Sequence, residues 1–213
     1  FHQKMNRKLL EHEQELLLVP IIEELRGEHA GVAARQLYEI LQPGNIGRDK
    51  FESICFDHGF KLERSKAYKR TTDSSGVIRF PNLIAGIEFT DINQAWSSDI
   101  TYYQIGEKFY YITFIIDLFS RKILSFSVSK RLLTGQTTIP ALKMALQDRK
   151  PLAGLIFHSD GGGQYYCKTF LKITEDYKIK NSMCEVVYEN AHAERINGTI
   201  KNQYLKGYDP QNY

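Results

Sequence analysis

The amino-acid sequence predicts an α/β fold, a mixed five-stranded sheet with flanking helices, preceded by a small all-α region. Two observations predict it. Residues 1–70 carry apolar side chains at helical intervals, whereas from Trp96 onward short β-prone runs alternate with helical ones. Residues 71–95, which lie between, are polar and rich in turn-forming residues, as is typical of a linker. We therefore expect a helical region over 1–70, a linker over 71–95 and an α/β domain over 96–213.

The composition excludes several classes of protein. Of the 213 residues, 42% are hydrophobic and 25% are charged, as in a globular protein, and the net charge of +3 is compatible with a nucleic-acid partner. No apolar run approaches the roughly 20 residues of a membrane span, and no basic segment followed by an apolar one opens the chain, so we do not expect secretion. Three scattered cysteines suit a reducing cytoplasm. We expect the chain, which begins at Phe1, to be a piece of a longer polypeptide.

The helical region has the outline of a DNA-binding helix-turn-helix. Helical runs are expected at Leu9–Leu18 and Val19–Leu25, followed by helices at Val32–Leu41 and Arg48–His58. Pro20 must begin or kink a helix, because proline has no backbone N–H. The breaker Gln42–Gly47 separates the last two helices, and the last one starts with the basic residues Arg48 and Lys50. A plain three-helix bundle is the alternative.

Three strands open the predicted α/β domain as an antiparallel meander. They are expected at Ala95–Tyr103, Lys108–Ile116 and Lys122–Lys130. The second strand is apolar on both faces and is expected inside the sheet, whereas the third alternates and is expected at an edge. The following elements are predicted at Thr137–Leu146, Leu155–Ser159, Lys168–Tyr177, Lys180–Ser182 and Ala191–Leu205. Three antiparallel strands followed by helix, strand, helix, strand and helix is the element order of the ribonuclease-H-like fold.

Three carboxylates lie where such a fold can bring them together. Asp99 is in the first strand, Asp160 follows a short apolar strand, and Glu194 is on the last helix. A charge within a β-prone run is costly unless it is paired or binds metal, and α/β folds place ligands at the carboxyl ends of strands. If the three converge, their oxygens form a cage suited to two Mg²⁺ ions and phosphodiester chemistry. Each acid taken alone is more often a solvated or capping residue.

The helical wheel separates Glu194 from the core face of its helix. Ala193 and Ile196 fall on the side that faces the core, whereas Glu194, Asn190 and Lys201 fall together on another side. A carboxylate flanked by an amide and an ammonium group can hold a metal and guide a phosphate.

Several motifs together resemble those of bacterial insertion-sequence transposases. They are Trp96-x-x-Asp99-Ile100-Thr101-Tyr102, Phe114 to Arg121, His158-Ser159-Asp160-x-Gly162-x-Gln164-Tyr165, Ser182-Met183, and Asn190-Ala191-x-x-Glu194 with Lys201. The group that they resemble is the IS-three family of OrfB type, whose catalytic core is of the retroviral-integrase (rve) kind. The resemblance covers Trp96 to Leu205 strongly and residues 19–60 more loosely, where that family has a helix-turn-helix.

The resemblance implies a DDE transposase that nicks DNA and transfers strands at insertion-sequence ends. Asp99, Asp160 and Glu194 would be its catalytic triad and would hold two Mg²⁺ or Mn²⁺ ions. The expected DNA contacts are Lys201, Arg195, Asn190, Arg48 and Lys50.

The same resemblance implies partners and a location. The expected partners are double-stranded DNA, as terminal inverted repeats and as target, further copies of the chain in a dimer or higher multimer, and an upstream-encoded OrfA segment. Such an enzyme would work at the bacterial nucleoid in the cytoplasm, by a copy-out, paste-in route through a circular intermediate.

The sequence departs from that family near the site. Asp160 and Glu194 are 34 positions apart, two fewer than usual, and we expect the shortfall in the loop between Met183 and Asn190. Gly161 stands where the family usually has a basic residue, and the family's C-terminal Tyr-Asn and Arg-Pro-His segment is absent. Glu194 is therefore the triad member that we expect to be most easily displaced without metal and DNA.

Two other functions are compatible with the same residues. A non-catalytic or domesticated DNA-binding protein would use the fold only as a scaffold, and a structure-selective ribonuclease-H-like nuclease would need no specific DNA ends. Asp117 is expected to cap a strand end, and His158 is expected to pack and not to act as a base. The Cys55–His58 spacing lacks the second pair of ligands that a zinc site needs.

Overall fold

The computed structural model describes residues 2–44, 46–62, 80–184, 190–208 and residue 210. The chain forms two compact units. The first comprises Phe1–Arg70 and Thr199–Pro210, and the second comprises Thr71–Gly198 and Gln211–Tyr213. Each unit encloses a hydrophobic core of its own, as domains do.

The described part of the first unit is helical. Its elements are α1 (His2–Glu28), α2 (Ala34–Leu41), α3 (Arg48–Asp57), a π-helical segment (Ile200–Leu205) and a short helix (Lys206–Tyr208). Its core is formed by Ile22, Val32, Leu37, Phe51, Ile54 and Cys55. Pro20 lies inside α1, so it does not begin a new helix. α2 ends because Gln42 adopts a left-handed conformation, φ 42°, with its N–H donating to the carbonyl of Tyr38 at 2.8 Å.

The turn between α1 and α2 packs closely on the π-helical segment. A Cβ at Gly31 would lie 2.1 Å from the carbonyl oxygen of Asn202, so only glycine fits there. Next to it the rings of His29 and Tyr204 meet edge to face, with their centroids 5.0 Å apart. The stretch from Thr199 to Pro210, predicted to belong to the α/β domain, therefore packs within the first unit.

The second unit contains a mixed five-stranded sheet. Its strands are β1 (Ala95–Ile105), β2 (Lys108–Asp117), β3 (Ile123–Ser129), β4 (Ile156–Ser159) and β5 (Lys180–Met183). Its helices are α4 (Thr138–Arg149), α5 (Lys168–Asp176) and α6 (Ala191–Thr199). The strand order is β3-β2-β1-β4-β5, with β1, β2 and β3 antiparallel and with β4 parallel to both β1 and β5. This confirms the predicted ribonuclease-H-like fold, with β2 inside the sheet and β3 at its edge.

The two faces of the sheet are covered by different helices. On one face the core contains Trp96, Ile115, Leu142, Phe157 and Phe170, which brings β1, β2 and β4 against α4 and α5. Full burial of each such side chain stabilises the fold by about 2–3 kcal/mol. On the other face Ala95, Ile116 and Leu118 pack with Ala193 of α6. Because strand residues alternate between faces, Asp99 lies on the α6 side, as Ala95 does.

Residues 80–94, predicted as the end of a linker, pack on the second unit. The carbonyl of Pro81 accepts a hydrogen bond from Met183 N–H, and Leu83 N–H donates to the hydroxyl of Ser182 at 2.9 Å. Phe89 packs against the cluster that contains Ala193. The segment therefore contacts β5 and adds to the core, while residues 71–79 lie outside the described part of the chain.

The turn after β2 is fixed by a buried carboxylate. Asp117 is 1% exposed and accepts hydrogen bonds from Ser120 N–H at 2.7 Å, from Ser120 Oγ–H at 2.9 Å and from Asn93 N–H at 2.7 Å. These contacts hold Arg121 at φ 60°, a left-handed conformation that costs a non-glycine residue roughly 1–2 kcal/mol. Asp117 therefore caps the end of its strand, as the sequence indicated.

None of the helices in the described ranges combines the length and the apolar character that crossing a membrane requires.

Candidate active site

The register of β1 and β4 brings Asp99 and Asp160 side by side. Ser97 on β1 pairs with His158 on the parallel strand β4, and the two aspartates lie two residues further along each chain. Neighbouring strands are about 4.8 Å apart, so the carboxylates meet where β4 ends. Asp160 Oδ1 accepts the N–H of Gly162 at 2.9 Å, which turns the chain away from the strand.

Asp99 is the electrostatic centre of the site. Its pKa is raised to about 7, first by burial and then by the charge of Asp160, with a smaller contribution from Glu194. Hydrogen bonds to the carboxylate, from Ile100 N–H at 2.9 Å and from Asn197 Nδ2–H at 2.7 Å, oppose the rise. The charges of Asp160 and Glu194 therefore both act on Asp99.

Glu194 is the outlying member of the three. It is exposed on the first turn of α6, directly after residues 185–189, which lie outside the described chain. In the described ranges, no three His, Cys, Asp or Glu side chains are grouped closely enough to hold a metal ion. Asp99 and Asp160 are therefore adjacent, and Glu194 is not grouped with them closely enough to form a metal site among the described residues.

Asn190, predicted to contact DNA, is instead buried at the start of α6. It is 3% exposed, its Oδ1 accepts the Ser97 hydroxyl at 2.5 Å, and its Nδ2 donates to the Ser98 carbonyl at 3.2 Å. Both polar ends of the amide are therefore committed to β1, immediately before Asp99. The side chain fixes the start of α6 on the strand that carries the central carboxylate.

Asn197 is a site residue that the sequence reasoning missed. It is 6% exposed, and its Nδ2 donates to Asp99, while its buried Oδ1 has no hydrogen-bond partner among the residues that the structure describes. Three residues beyond Glu194, it lies on the same side of α6 as Asn190 and Glu194. The helical wheel that grouped Glu194 with Asn190 also places residue 197 on that side of the helix. The spacing of these three residues could therefore have identified Asn197.

The local backbone conformation explains why residue 161, directly after Asp160, is a glycine. Gly161 has φ 73°, and a Cβ there would lie 2.3 Å from the side chain of Met183. A longer side chain at this position would have to displace the Met183 side chain and would be strained at this φ. Both observations favour glycine here.

Tyr165 is buried next to Asp99 and Asp160. Its hydroxyl shares a hydrogen bond with Ser98 Oγ at 3.0 Å, and burial together with the charges of Asp160 and Asp99 raises its pKa. The phenol is therefore neutral and serves to pack and to exclude water. His158 is fully buried with Nδ1 2.9 Å from the Ser182 hydroxyl, as expected of a packing histidine.

The other predicted DNA contacts differ in their surroundings. Arg48 is paired with Asp49 at 3.1 Å and lies 3.7 Å from Glu52, so much of its charge is already balanced. Lys50 is exposed on α3, Arg195 is exposed on α6, and Lys201 is partly buried in the π-helical segment. Their contacts with DNA stay predictions.

Comparison with known proteins identifies similar sequences. The family model for the integrase core domain matches residues 90–188. The chain is 31% identical, over 97% of its length and 77% of the relative's, to the uncharacterized 31 kDa protein of insertion element IS600 of Shigella sonnei. It is 35% identical to the transposase InsF for insertion sequence IS3A of Escherichia coli, over 54% of this chain and 40% of that protein.

A solved structure is also similar. The HTLV-2 integrase catalytic core domain, determined in complex with magnesium, is 29% identical with a TM-score of 0.44, over 52% of this chain and 68% of that one.

The raised pKa of Asp99 predicts how stability depends on pH. Between pH 3.8 and about 7 the unfolded chain has lost the Asp99 proton while the folded chain keeps it, so stability falls as pH rises. Without metal, the wild-type chain should lose up to about 4 kcal/mol across this range relative to Asp99→Asn. Urea unfolding at several pH values measures this.

The matched control is Asp176→Asn, which makes the same chemical change at an exposed position and should follow the wild type. A stability difference between wild type and Asp99→Asn that does not change with pH would contradict the burial and repulsion described for Asp99.

Proposed function

Because the chain belongs to the IS3 family of insertion-sequence transposases, which have an integrase core, we propose that it nicks and joins DNA strands at the ends of an insertion sequence. Enzymes of this kind are polynucleotidyl transferases and act in DNA recombination. The observation that carries the proposal is the adjacency of Asp99 and Asp160 with the charge of Glu194 acting on the same point. In the proposal, these three are the catalytic carboxylates.

The donor set fits divalent metal ions. Carboxylate oxygens are the ligands that Mg²⁺ and Mn²⁺ prefer, and the raised pKa of Asp99 indicates negative charge that a cation would balance. The charges of Asp160 and Glu194 both act on Asp99, so Asp99 would share both ions, with Asp160 and Glu194 each completing one site. When bound, two such ions make an oxygen nucleophile more reactive and stabilise the leaving 3′-oxygen.

The protein's own residues hold the central carboxylate in one orientation. Ile100 N–H and Asn197 Nδ2–H each fix one oxygen of Asp99, which leaves the remaining lone pairs directed away from those donors. Asn190 holds the start of α6, and therefore the backbone of Glu194, against β1. The nucleophile would be water in nicking and a DNA 3′-hydroxyl in joining, in an in-line displacement.

Binding of the DNA ends is assigned to the first unit. The proposal is that α2 and α3 act as a helix-turn-helix, because a left-handed turn joins them and exposed Lys50 begins α3. Phosphate contacts would supply most of the affinity. Pairing of two ends requires at least two copies of the chain, so a multimer is part of the proposal.

A non-catalytic DNA-binding function is the second candidate. The observation that favours it is the position of Glu194, exposed and outside any metal-sized group among the described residues. Activity measurements separate the two functions.

The direct test is Asp99→Asn in the complete protein, with a duplex that carries the cognate ends and Mg²⁺. Nicking and strand joining should fall by about 100-fold or more, because the shared metal ligand is lost. Asp176→Asn is the control and should keep full activity, and gel-shift binding should be retained in both. Undiminished nicking by Asp99→Asn would contradict the catalytic assignment and favour the second candidate.

Asn197 is proposed as a positioning residue for Asp99. In Asn197→Ala the carboxylate loses a hydrogen bond that lowers its pKa, so the pKa of Asp99 should rise further. A carboxylate must be deprotonated to bind metal, so the pH at which Mg²⁺-dependent nicking reaches half its maximum should move upward. An activity loss without any change in the pH profile would indicate a structural role alone.

A further inference from the structure

A cleft of about 660 Å³ opens in the second unit beside the start of α6. Its walls come from residues 82–89, from the turn after β2 with Phe119 and Arg121, and from His192 of α6. The volume is in the range of ligand pockets, roughly 300–1,000 Å³. None of the three site carboxylates lines it, so the cleft is separate from the carboxylate site.

Two basic side chains, Arg121 and His192, line the cleft, and Arg195 lies within electrostatic reach of His192. Arg121 comes from the turn, and His192 and Arg195 are three residues apart on one side of α6. Burial lowers the pKa of His192, and the charges of Arg121 and Arg195 lower it further, so the three lie within electrostatic reach. In the described ranges neither arginine forms an ion pair. Glu88 is the acid that lines the cleft.

Arg121 is held in place by a strained turn. Its φ of 60° is the conformation that glycine adopts most easily, yet the position carries a long cationic side chain. The backbone N–H of Arg121 donates to the Asp117 carbonyl at 2.9 Å, and the buried Asp117 carboxylate fixes Ser120 and Asn93 on either side. Strain that the surrounding structure maintains is found at ligand sites more than elsewhere.

An exposed aromatic ring stands beside these cations. Phe119 is 46% exposed although it lines the cleft, and Ile87 across the same cleft is 49% exposed. Guanidinium groups bind phosphate oxygens in pairs of hydrogen bonds, and aromatic rings stack on nucleobases. The cleft therefore offers a basic surface for the phosphate of a nucleotide and an aromatic surface for its base.

We propose that this cleft binds one nucleotide of a single-stranded DNA segment, with Arg121 and His192 on the phosphate, Phe119 against the base, and Arg195 adding positive charge nearby. The inference rests on the proposed transposase function, because α6 carries both His192 of the cleft and Glu194. The cleft would thus hold unpaired DNA near the carboxylate site.

The test uses the full chain with Asp99→Asn, so that binding is measured without cutting. A fluorescent single-stranded oligothymidine and a duplex of equal length are the probes. Arg121→Gly suits its φ of 60°, so the variant should fold while it loses the charge. We expect single-strand affinity to fall about tenfold and the salt slope of log affinity to drop by about 0.7.

Phe119→Ala should weaken single-strand binding about tenfold and duplex binding less, because stacking needs an unpaired base. Lys143→Ala, an exposed charge on α4 at the opposite face of the sheet, is the control and should leave both affinities unchanged. Wild-type affinity and salt slope in Arg121→Gly would overturn the proposal and point to a protein partner for the cleft. Failure of the transposase function itself would appear separately, as undiminished nicking by Asp99→Asn.

Discussion

The parallel pairing of β1 with β4 is the constraint on which the rest of the site depends. It places two aspartates from distant parts of the chain side by side, Asp99 within β1 and Asp160 just past β4. Bringing these carboxylates together is unfavourable, and burial of the core on the opposite face, which includes Trp96 and Phe157, offsets it. The fold therefore holds like charges together, and a divalent cation relieves this arrangement better than a monovalent one.

Helix α6 is held against β1, the strand that carries Asp99, by side-chain hydrogen bonds. Asn190 and Asn197 reach β1 from two places on the helix, one to the backbone before Asp99 and the other to the carboxylate itself. Glu194 lies between these two residues in the sequence, and its side chain is exposed. The helix is therefore fixed to β1 both before and after Glu194, while the Glu194 side chain is not buried. The same helix contributes His192 to the cleft beside the turn after β2, so one element takes part in both the carboxylate site and the proposed nucleotide site.

The strands could be predicted because the sequence patterns that specify them, apolar runs bounded by turn residues, are local. Alternation and turn residues marked β1, β2 and β3, and Asp160 was found because a charged residue directly follows an apolar strand. Long-range packing was not predictable: the burial of Asn190 depends on Ser97 and Ser98, more than 90 positions away. In the same way, Phe89, expected in a linker, packs near Ala193, and Pro20, expected to begin or kink a helix, lies within α1.

The central claim is that the three carboxylates form a site for divalent cations. The most direct measurement is the free energy of unfolding of the full chain at increasing Mg²⁺, at a pH of about 8, where Asp99 is ionised. Binding to the folded state should stabilise the wild type by about 2–3 kcal/mol at a concentration near 100 times the dissociation constant, and Asp99→Asn far less. Equal stabilisation of both proteins, or none of either, would contradict the claim.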